Sequence, residues 1–122
     1  MQKLIFIVDD NDSNLTMAAS ALDKDYKVLT MPSAIKMLSL LEKKQPDMIL
    51  LDIEMPEMSG FEAIVKLKEN PQWKNIPVVF LTGHEEESVQ TQAIELGALG
   101  VIHKPIKLKM LLDYVNKNIG LV

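Results

Sequence analysis

Met48-Ile49-Leu50-Leu51-Asp52 is the stretch that decides the fold, because four consecutive apolar residues are followed at once by a carboxylate. A short apolar run of this kind predicts a β-strand. Since it is apolar on both faces, it must be covered on both, as a parallel strand between two layers of helices is. The stretch therefore predicts an α/β protein in which Asp52 stands at the carboxyl end of a buried strand.

Four other strand-like runs alternate with helix-period segments on either side of this stretch. They lie at Leu4–Val8, Lys27–Thr30, Val78–Leu81 and Gly100–His103, and the second is the weakest and best suited to a sheet edge. Right-handed crossovers through the intervening helices make such strands parallel. No linker, repeat or low-complexity stretch interrupts the alternation, so the sequence predicts one (βα)5 domain over residues 1–122.

The helical segments carry apolar residues at spacings of three and four, which is typical of helices with one buried face. The first helix is predicted to begin at about Ser13, with Asp12 or Ser13 as its cap. The predicted inward faces are, in chain order, Leu15, Ala18, Ala19 and Leu22; Ala34, Met37, Leu38 and Leu41; Phe61, Ile64 and Val65; Val89, Ala93 and Leu96; and Leu108, Leu111, Leu112, Val115 and Ile119.

The composition excludes several functions. Among 122 residues, 17 are acidic and 13 are basic, which gives a net charge of −4 and no general attraction for a nucleic-acid backbone. All the basic residues are lysines, so a phosphate cannot be gripped by a bidentate guanidinium group. There is no cysteine, and no apolar run approaches the roughly 18 residues of a membrane span. We expect a soluble, cytoplasmic protein that binds neither nucleic acid nor membranes.

Polar residues follow four of the apolar runs, at the strand ends that meet along one edge of a parallel sheet. They are Asp9 and Asp10, Asp52, Thr82 and Lys104. In open α/β sheets this edge holds the ligand crevice. Adjacent carboxylates repel each other unless a proton or a cation relieves them, and Mg²⁺ prefers oxygen ligands that it shares with a phosphate. The five residues predict a phosphate-handling site with Asp52 as the candidate nucleophile.

The chain resembles, over essentially its whole length, the receiver domain of two-component response regulators. The resemblance rests on Ile7–Asp10, Leu51–Gly60, Leu81–Gly83 and Lys104–Pro105, which follow the family's order and approximate spacing. It implies a doubly wound, flavodoxin-like, five-stranded parallel sheet of order 2-1-3-4-5.

The resemblance also implies roles for the site residues. Asp52 would accept a phosphoryl group from a phosphohistidine on a sensor histidine kinase or a histidine phosphotransfer protein. Asp10, Asp52 and the backbone carbonyl of Glu54 would hold Mg²⁺ (or Mn²⁺), with Asp9 acting mainly through water. Lys104 would contact the phosphoryl group.

Further positions take their expected roles from the same resemblance. Thr82 would contact the phosphate, Gly83 would leave room for the phosphodonor, and the Lys104–Pro105 peptide bond would be cis. Glu54 and His84 occupy two variable positions that flank the path of hydrolytic water. They are candidates for tuning the lifetime of the phosphate, with an exposed acid and an exposed imidazole of no function as the alternative.

Val101 stands where the family commonly has Phe or Tyr, three residues before the lysine. This departure predicts a switch without aromatic burial, in which Thr82 moves toward the phosphate and shifts the loop before the fourth helix. His103 is interpreted as an edge-strand residue rather than as a metal ligand or a phosphohistidine.

Two docking surfaces are expected from the resemblance. The kinase or phosphotransfer partner would dock near Ser13, Asn14 and Met17 on the first helix. Phosphorylation-dependent homodimerisation or effector binding would use the fourth helix, the fifth strand and the fifth helix, where the surface carries Lys107, Lys109 and Tyr114.

Two alternatives stay open at this point. The chain could be the N-terminal receiver of a longer regulator with a DNA-binding or enzymatic output. It could also be a phosphatase of the haloacid-dehalogenase type, because Asp52-Ile53-Glu54 superficially fits that motif. In that family, however, the nucleophile strand comes first and the paired acids last, whereas here Asp9-Asp10 leads. We therefore expect a phosphoacceptor that catalyses only its own phosphorylation and dephosphorylation.

Overall fold

The computed structural model describes residues 2–120, and within them strands and helices alternate along the chain. The strands are β1 (Leu4–Val8), β2 (Lys27–Met31), β3 (Met48–Asp52), β4 (Val78–Thr82) and β5 (Gly100–His103). The helices are α1 (Asp12–Leu22), α2 (Ala34–Leu41), α3 (Gly60–Glu69), α4 (Glu87–Glu95) and α5 (Leu108–Ile119). The predicted (βα)5 pattern is confirmed, with β2, β3 and β4 each one residue longer than the sequence predicts. None of the helices described is long and apolar enough to cross a membrane.

All the strands pair in parallel in the order β2-β1-β3-β4-β5, which confirms the predicted flavodoxin-like sheet. The weak strand β2 lies at one edge, as expected, and β5 lies at the other. The register pairs Val8 with Leu51, Asp52 with Leu81, and Thr82 with His103. The carboxyl ends of β1, β3, β4 and β5 therefore lie side by side.

The sheet is covered on both faces, which explains why β3 is continuously apolar. Ile49 and Leu51 pack into a cluster with α2, α3 and α4, whereas Met48 and Leu50 pack into a second cluster with α1 and α5. All four side chains are fully buried. Burial of side chains of this size stabilises a fold by about 1.5–3 kcal/mol each, so this strand fixes Asp52 at the end of a rigid element.

Three details of the helices differ from the sequence prediction. The cap of α1 is Asn11, whose extended backbone lets its side chain accept the N–H of Asn14, so the predicted cap was wrong by one residue. Val65 is exposed, because the buried stripe of α3 runs through Ala63, Ile64 and Leu67, which leaves Val65 on the opposite side. Leu108 is also exposed, since it is the first residue of α5 and the buried stripe starts one turn later.

The start of α3 is held against the end of β3 by a backbone hydrogen bond and a close backbone contact. Ser59 and Glu62 form a capping box, in which each side chain accepts the other residue's backbone N–H. The backbone N–H of Gly60 donates to the carbonyl of Ile53 at 2.7 Å. A Cβ atom on Gly60 would lie 2.4 Å from the carbonyl oxygen of Asp52, so only glycine allows this approach. The contact fixes the backbone on which the Asp52 carboxylate stands.

Candidate functional site

The predicted site residues meet at the carboxyl edge of the sheet. Asp9 and Asp10 follow β1, Asp52 ends β3, Thr82 ends β4 and Lys104 follows β5. They line one open groove of about 450 Å³, together with Asn11, Asn14, Glu54, Gly83 and His84. The topology thus brings together every polar residue that the strand-end pattern singles out.

Three carboxylates form the floor of this groove. Oxygen atoms of Asp9, Asp10 and Asp52 all lie within 4.8 Å of one another. Asp9 is fully buried and Asp52 is 5% exposed, whereas Asp10 is open to solvent. An all-oxygen, strongly anionic set of this kind suits a hard divalent cation such as Mg²⁺ or Mn²⁺.

Both carboxylate oxygens of Asp9 already interact with other groups of the chain. Its Oδ1 accepts the backbone N–H of Asn11 at 2.9 Å, and its Oδ2 accepts the side-chain amide of Asn14 at 3.2 Å. The Nζ of Lys104 lies 3.0 Å from the same Oδ2. Asp10 and Asp52 are consequently better disposed than Asp9 to face a cation directly. The Asp9–Asn11 spacing is that of an Asx turn, but no sequence signal identifies Asn14 as a partner of Asp9.

Lys104 reaches across the site and joins two of the strands. Its Nζ lies 3.1 Å from Asp52 Oδ1 as well as 3.0 Å from Asp9 Oδ2, and its side chain is 20% exposed. Burial lowers the pKa of Lys104, but hydrogen bonds to Asp9 and Asp52 outweigh that effect and the pKa is raised overall. The ammonium group therefore stays charged at neutral pH. The Lys104–Pro105 peptide bond is cis, as expected.

Asp52 is an unusually basic carboxylate. Burial, followed by the charges of Asp9 and Asp10, raises its pKa to about 6, although the hydrogen bond and charge of Lys104 oppose the shift. Since the ionised form is disfavoured in this environment, additional positive charge in the groove would stabilise it. A carboxylate whose ionised form is stabilised by added positive charge suits a site for a divalent cation and an anionic ligand.

Thr82 and Gly83 form the wall between β4 and α4. The Thr82 side chain is almost fully buried, and its Oγ1 accepts the backbone N–H of His84 at 3.0 Å. The hydroxyl proton of Thr82 remains available to a ligand oxygen in the groove. A Cβ atom on Gly83 would have no neighbour within 4 Å, so the chain is open to approach at this point.

Glu54 and His84, the two variable positions, are in contact across the mouth of the groove. The Nε2 of His84 contacts the Glu54 carboxylate, and its Nδ1 lies 3.4 Å from Glu86. Both side chains are substantially exposed, at 45% for His84 and 69% for Glu54. The contact links the loop after β3 with the loop after β4.

The response regulator receiver domain family matches residues 5–116 of the chain. The chain belongs to this family. Receiver domains act in phosphoacceptor signalling and generally interact with histidine kinases or phosphotransfer proteins. The strand order and the grouped aspartates described above agree with this membership.

Three similar proteins illustrate the range of the family. A probable cyclic di-GMP phosphodiesterase of Vibrio cholerae is 36% identical over 97% of this chain, which spans 27% of that protein's length. The polar-differentiation response regulator DivK of Brucella ovis is 28% identical over 98% of both chains. The chemotaxis protein CheY4 of Vibrio cholerae superposes with a TM-score of 0.90 at 28% identity, covering 96% of this chain and 98% of that one.

Proposed function

We propose that Asp52 is the phosphoacceptor of this receiver domain. The observation that carries the proposal is the position of its buried carboxylate, 3.1 Å from the Lys104 ammonium and grouped with two further aspartates at the sheet edge. An Asp52 oxygen would attack the phosphorus of a phosphohistidine. The new O–P bond forms as the donor's N–P bond breaks, and the electron pair stays on the donor's imidazole nitrogen.

Lys104 and Thr82 are the groups that would hold the transferred phosphoryl group. Phosphoryl transfer depends mainly on positioning and on charge stabilisation. The Lys104 ammonium already lies at the carboxylate that would be modified. Thr82 presents a hydroxyl from the neighbouring strand, and Gly83 leaves the approach open.

Asp10, Asp52 and the backbone carbonyl of Glu54 are the groups that we propose as ligands of Mg²⁺ or Mn²⁺. Asp9 would act through water, because both of its oxygens already accept hydrogen bonds from the chain. A bound cation supplies positive charge that offsets the carboxylates and the incoming phosphoryl oxygens.

The partners that we propose are a sensor histidine kinase or a histidine phosphotransfer protein, met in the cytoplasm. Such a donor would dock beside the groove at Ser13, Asn14 and the exposed Met17 of α1. The α4, β5 and α5 surface, which carries Lys107, Lys109 and Tyr114, would support a phosphorylation-dependent homodimer or effector contact.

Intact-protein mass spectrometry with acetyl phosphate tests the assignment and the proposed self-phosphorylation together. We expect one added phosphoryl group in the presence of Mg²⁺ and none when Mg²⁺ is chelated. Asp52→Asn should abolish the addition, whereas Asp113→Asn, a matched change at an exposed aspartate, should not. Undiminished labelling of Asp52→Asn would contradict the proposal.

A further inference from the structure

His103 is a partly buried side chain that the proposed phosphoryl chemistry does not use. It ends β5, where it is in register with Thr82 of β4. The next residue is Lys104, whose backbone N–H donates to the carbonyl of Thr82 at 2.7 Å. His103 is therefore tied through the backbone to both residues that would hold the phosphoryl group.

The His103 ring contacts α4. In β5, His103 shares a face of the sheet with Val101, which packs against the cluster formed by α2, α3 and α4, while Ile102 packs against the α1 and α5 cluster. The ring Nε2 lies 3.0 Å from the side-chain amide nitrogen of Gln90, in α4. An amide nitrogen can only donate, so this contact is a hydrogen bond in the ring tautomer that carries its proton on Nδ1 and accepts at Nε2.

The other ring nitrogen lacks such a contact. Nδ1 of His103 is buried and has no hydrogen-bond partner within residues 2–120. A buried N–H without an acceptor is unfavourable, so the ring gains stability from any rearrangement that lets both nitrogens pair. The Gln90 contact is therefore the polar interaction that fixes the ring in this orientation.

The ring also has space in which to move. His103 lines a groove of about 390 Å³ that is bordered by Glu85, Val101, Met110 and Tyr114. Val101 is a small side chain on the same face of β5, so it leaves part of this volume open.

We propose that His103 and Gln90 couple the phosphoryl site to α4, in place of an aromatic side chain on β5. A movement of Thr82 toward the phosphoryl group would shift the backbone of His103 and change its contact with Gln90, which alters the position of α4. The pair acts by positioning α4 and takes no part in the chemistry. The inference rests on the proposed function, since phosphorylation of Asp52 supplies the displacement.

Amide chemical shifts measured with and without beryllofluoride and Mg²⁺ test the coupling. In the wild-type protein we expect shifts at the loops that bear Asp52 and Thr82 and also along α4. His103→Ala and Gln90→Ala should lose the shifts along α4 while still binding beryllofluoride, which is added to saturation for each variant. Gln92→Ala, a matched change at an exposed position of the same helix, should keep them. Persistent shifts along α4 in both test variants would overturn the proposal.

Two further variants strengthen the test. Gln90→Glu keeps the side-chain length, and its carboxylate can accept from Nε2–H in the other ring tautomer. This variant should therefore keep the shifts along α4 that Gln90→Ala loses. In the protein without beryllofluoride, Thr82→Ala should shift the ring nitrogen resonances of His103, and unchanged resonances would contradict the coupling. If the wild-type protein binds no beryllofluoride, the proposed function fails, and the Thr82→Ala spectrum still decides whether the coupling exists.

Discussion

The Lys104 ammonium lies between two buried carboxylates, 3.1 Å from Asp52 and 3.0 Å from Asp9. It is the positive charge that the chain itself supplies within this acidic groove, and it joins the end of β5 to the ends of β3 and β1. The same group that would bind a phosphoryl oxygen therefore also offsets the negative charge of the carboxylates before phosphorylation. Changes at this position should affect both stability and phosphate handling.

Lys104→Ala should leave a folded protein that is less stable and responds poorly to phosphodonor. Loss of the ammonium leaves the buried Asp52 Oδ1 without a partner and Asp9 Oδ2 with only the Asn14 amide, which costs about 1–3 kcal/mol. The cost should shrink as the pH falls below about 6, because Asp52 then becomes protonated. Urea unfolding at two pH values measures the first effect, and phosphorylation by acetyl phosphate measures the second.

The matched control is Lys107→Ala, which removes an exposed lysine three residues along the chain. It should change neither the unfolding midpoint nor the phosphorylation rate. If Lys104→Ala is phosphorylated by acetyl phosphate as readily as the wild type and loses only stability, then the lysine has a structural role alone.

Asp52→Asn should stabilise the metal-free protein at neutral pH. The folded-state pKa of about 6 lies above the ordinary value of 3.8, so the folded state binds more protons than the unfolded state between these values. The free energy of unfolding of the wild type therefore falls as the pH rises from about 4 to about 6, and the loss persists above pH 6. A shift of this size corresponds to at most about 3 kcal/mol.

Thermal melts of both proteins across this pH range test the prediction. The advantage of Asp52→Asn should shrink as the pH falls from about 6 toward 4 and vanish below the ordinary pKa of 3.8, where the carboxylate is protonated in both states. Added Mg²⁺ should recover stability in the wild type more than in the variant. Parallel pH profiles for the two proteins would show that Asp52 is not destabilised in the native state.

Most of the site could be predicted from the sequence because the carboxyl ends of parallel strands lie side by side at one edge of the sheet. Asp9, Asp10, Asp52, Thr82 and Lys104 each follow an apolar run, so the strand order alone brings them together. Contacts made by residues on helices were harder to predict. Asn14 and Gln90 contact Asp9 and His103 through side-chain rotamers and helix orientation, which apolar periodicity does not encode. Val65 and Leu108 were misassigned for the related reason that apolar character alone does not fix the buried face.

Gly60→Ala should destabilise the protein and displace Asp52. The added Cβ would meet the carbonyl oxygen of Asp52 at 2.4 Å and the Cα of Ile53 at 2.9 Å, and both are backbone atoms. Relief requires movement of α3 away from β3, and overpacking of this kind costs about 1–3 kcal/mol. Gly83→Ala is the matched control, because its Cβ would meet nothing within 4 Å.

Urea unfolding and Mg²⁺ titration of the two glycine variants separate these expectations. Gly60→Ala should show a lower midpoint and weaker Mg²⁺ binding, whereas Gly83→Ala should match the wild type in both. Equal midpoints for Gly60→Ala and the wild type would mean that the capping box, rather than the close approach of the backbones, fixes the start of α3.

The contact between Glu54 and His84 should lengthen the lifetime of the phosphorylated protein. The two side chains meet across the mouth of the groove, where they would narrow the path of water to a phosphoryl group on Asp52. Exposed pairs of this kind contribute at most about 1 kcal/mol, so Glu54→Ala and His84→Ala should each speed dephosphorylation about two- to fivefold. The double variant should be no faster than either single variant, because each change alone already removes the contact.

Glu87→Ala, an exposed glutamate nearby, serves as the control and should leave the rate unchanged. Rates that multiply fully in the double variant would show that the two residues act independently, and unchanged rates in all variants would leave them as an exposed acid and an exposed imidazole.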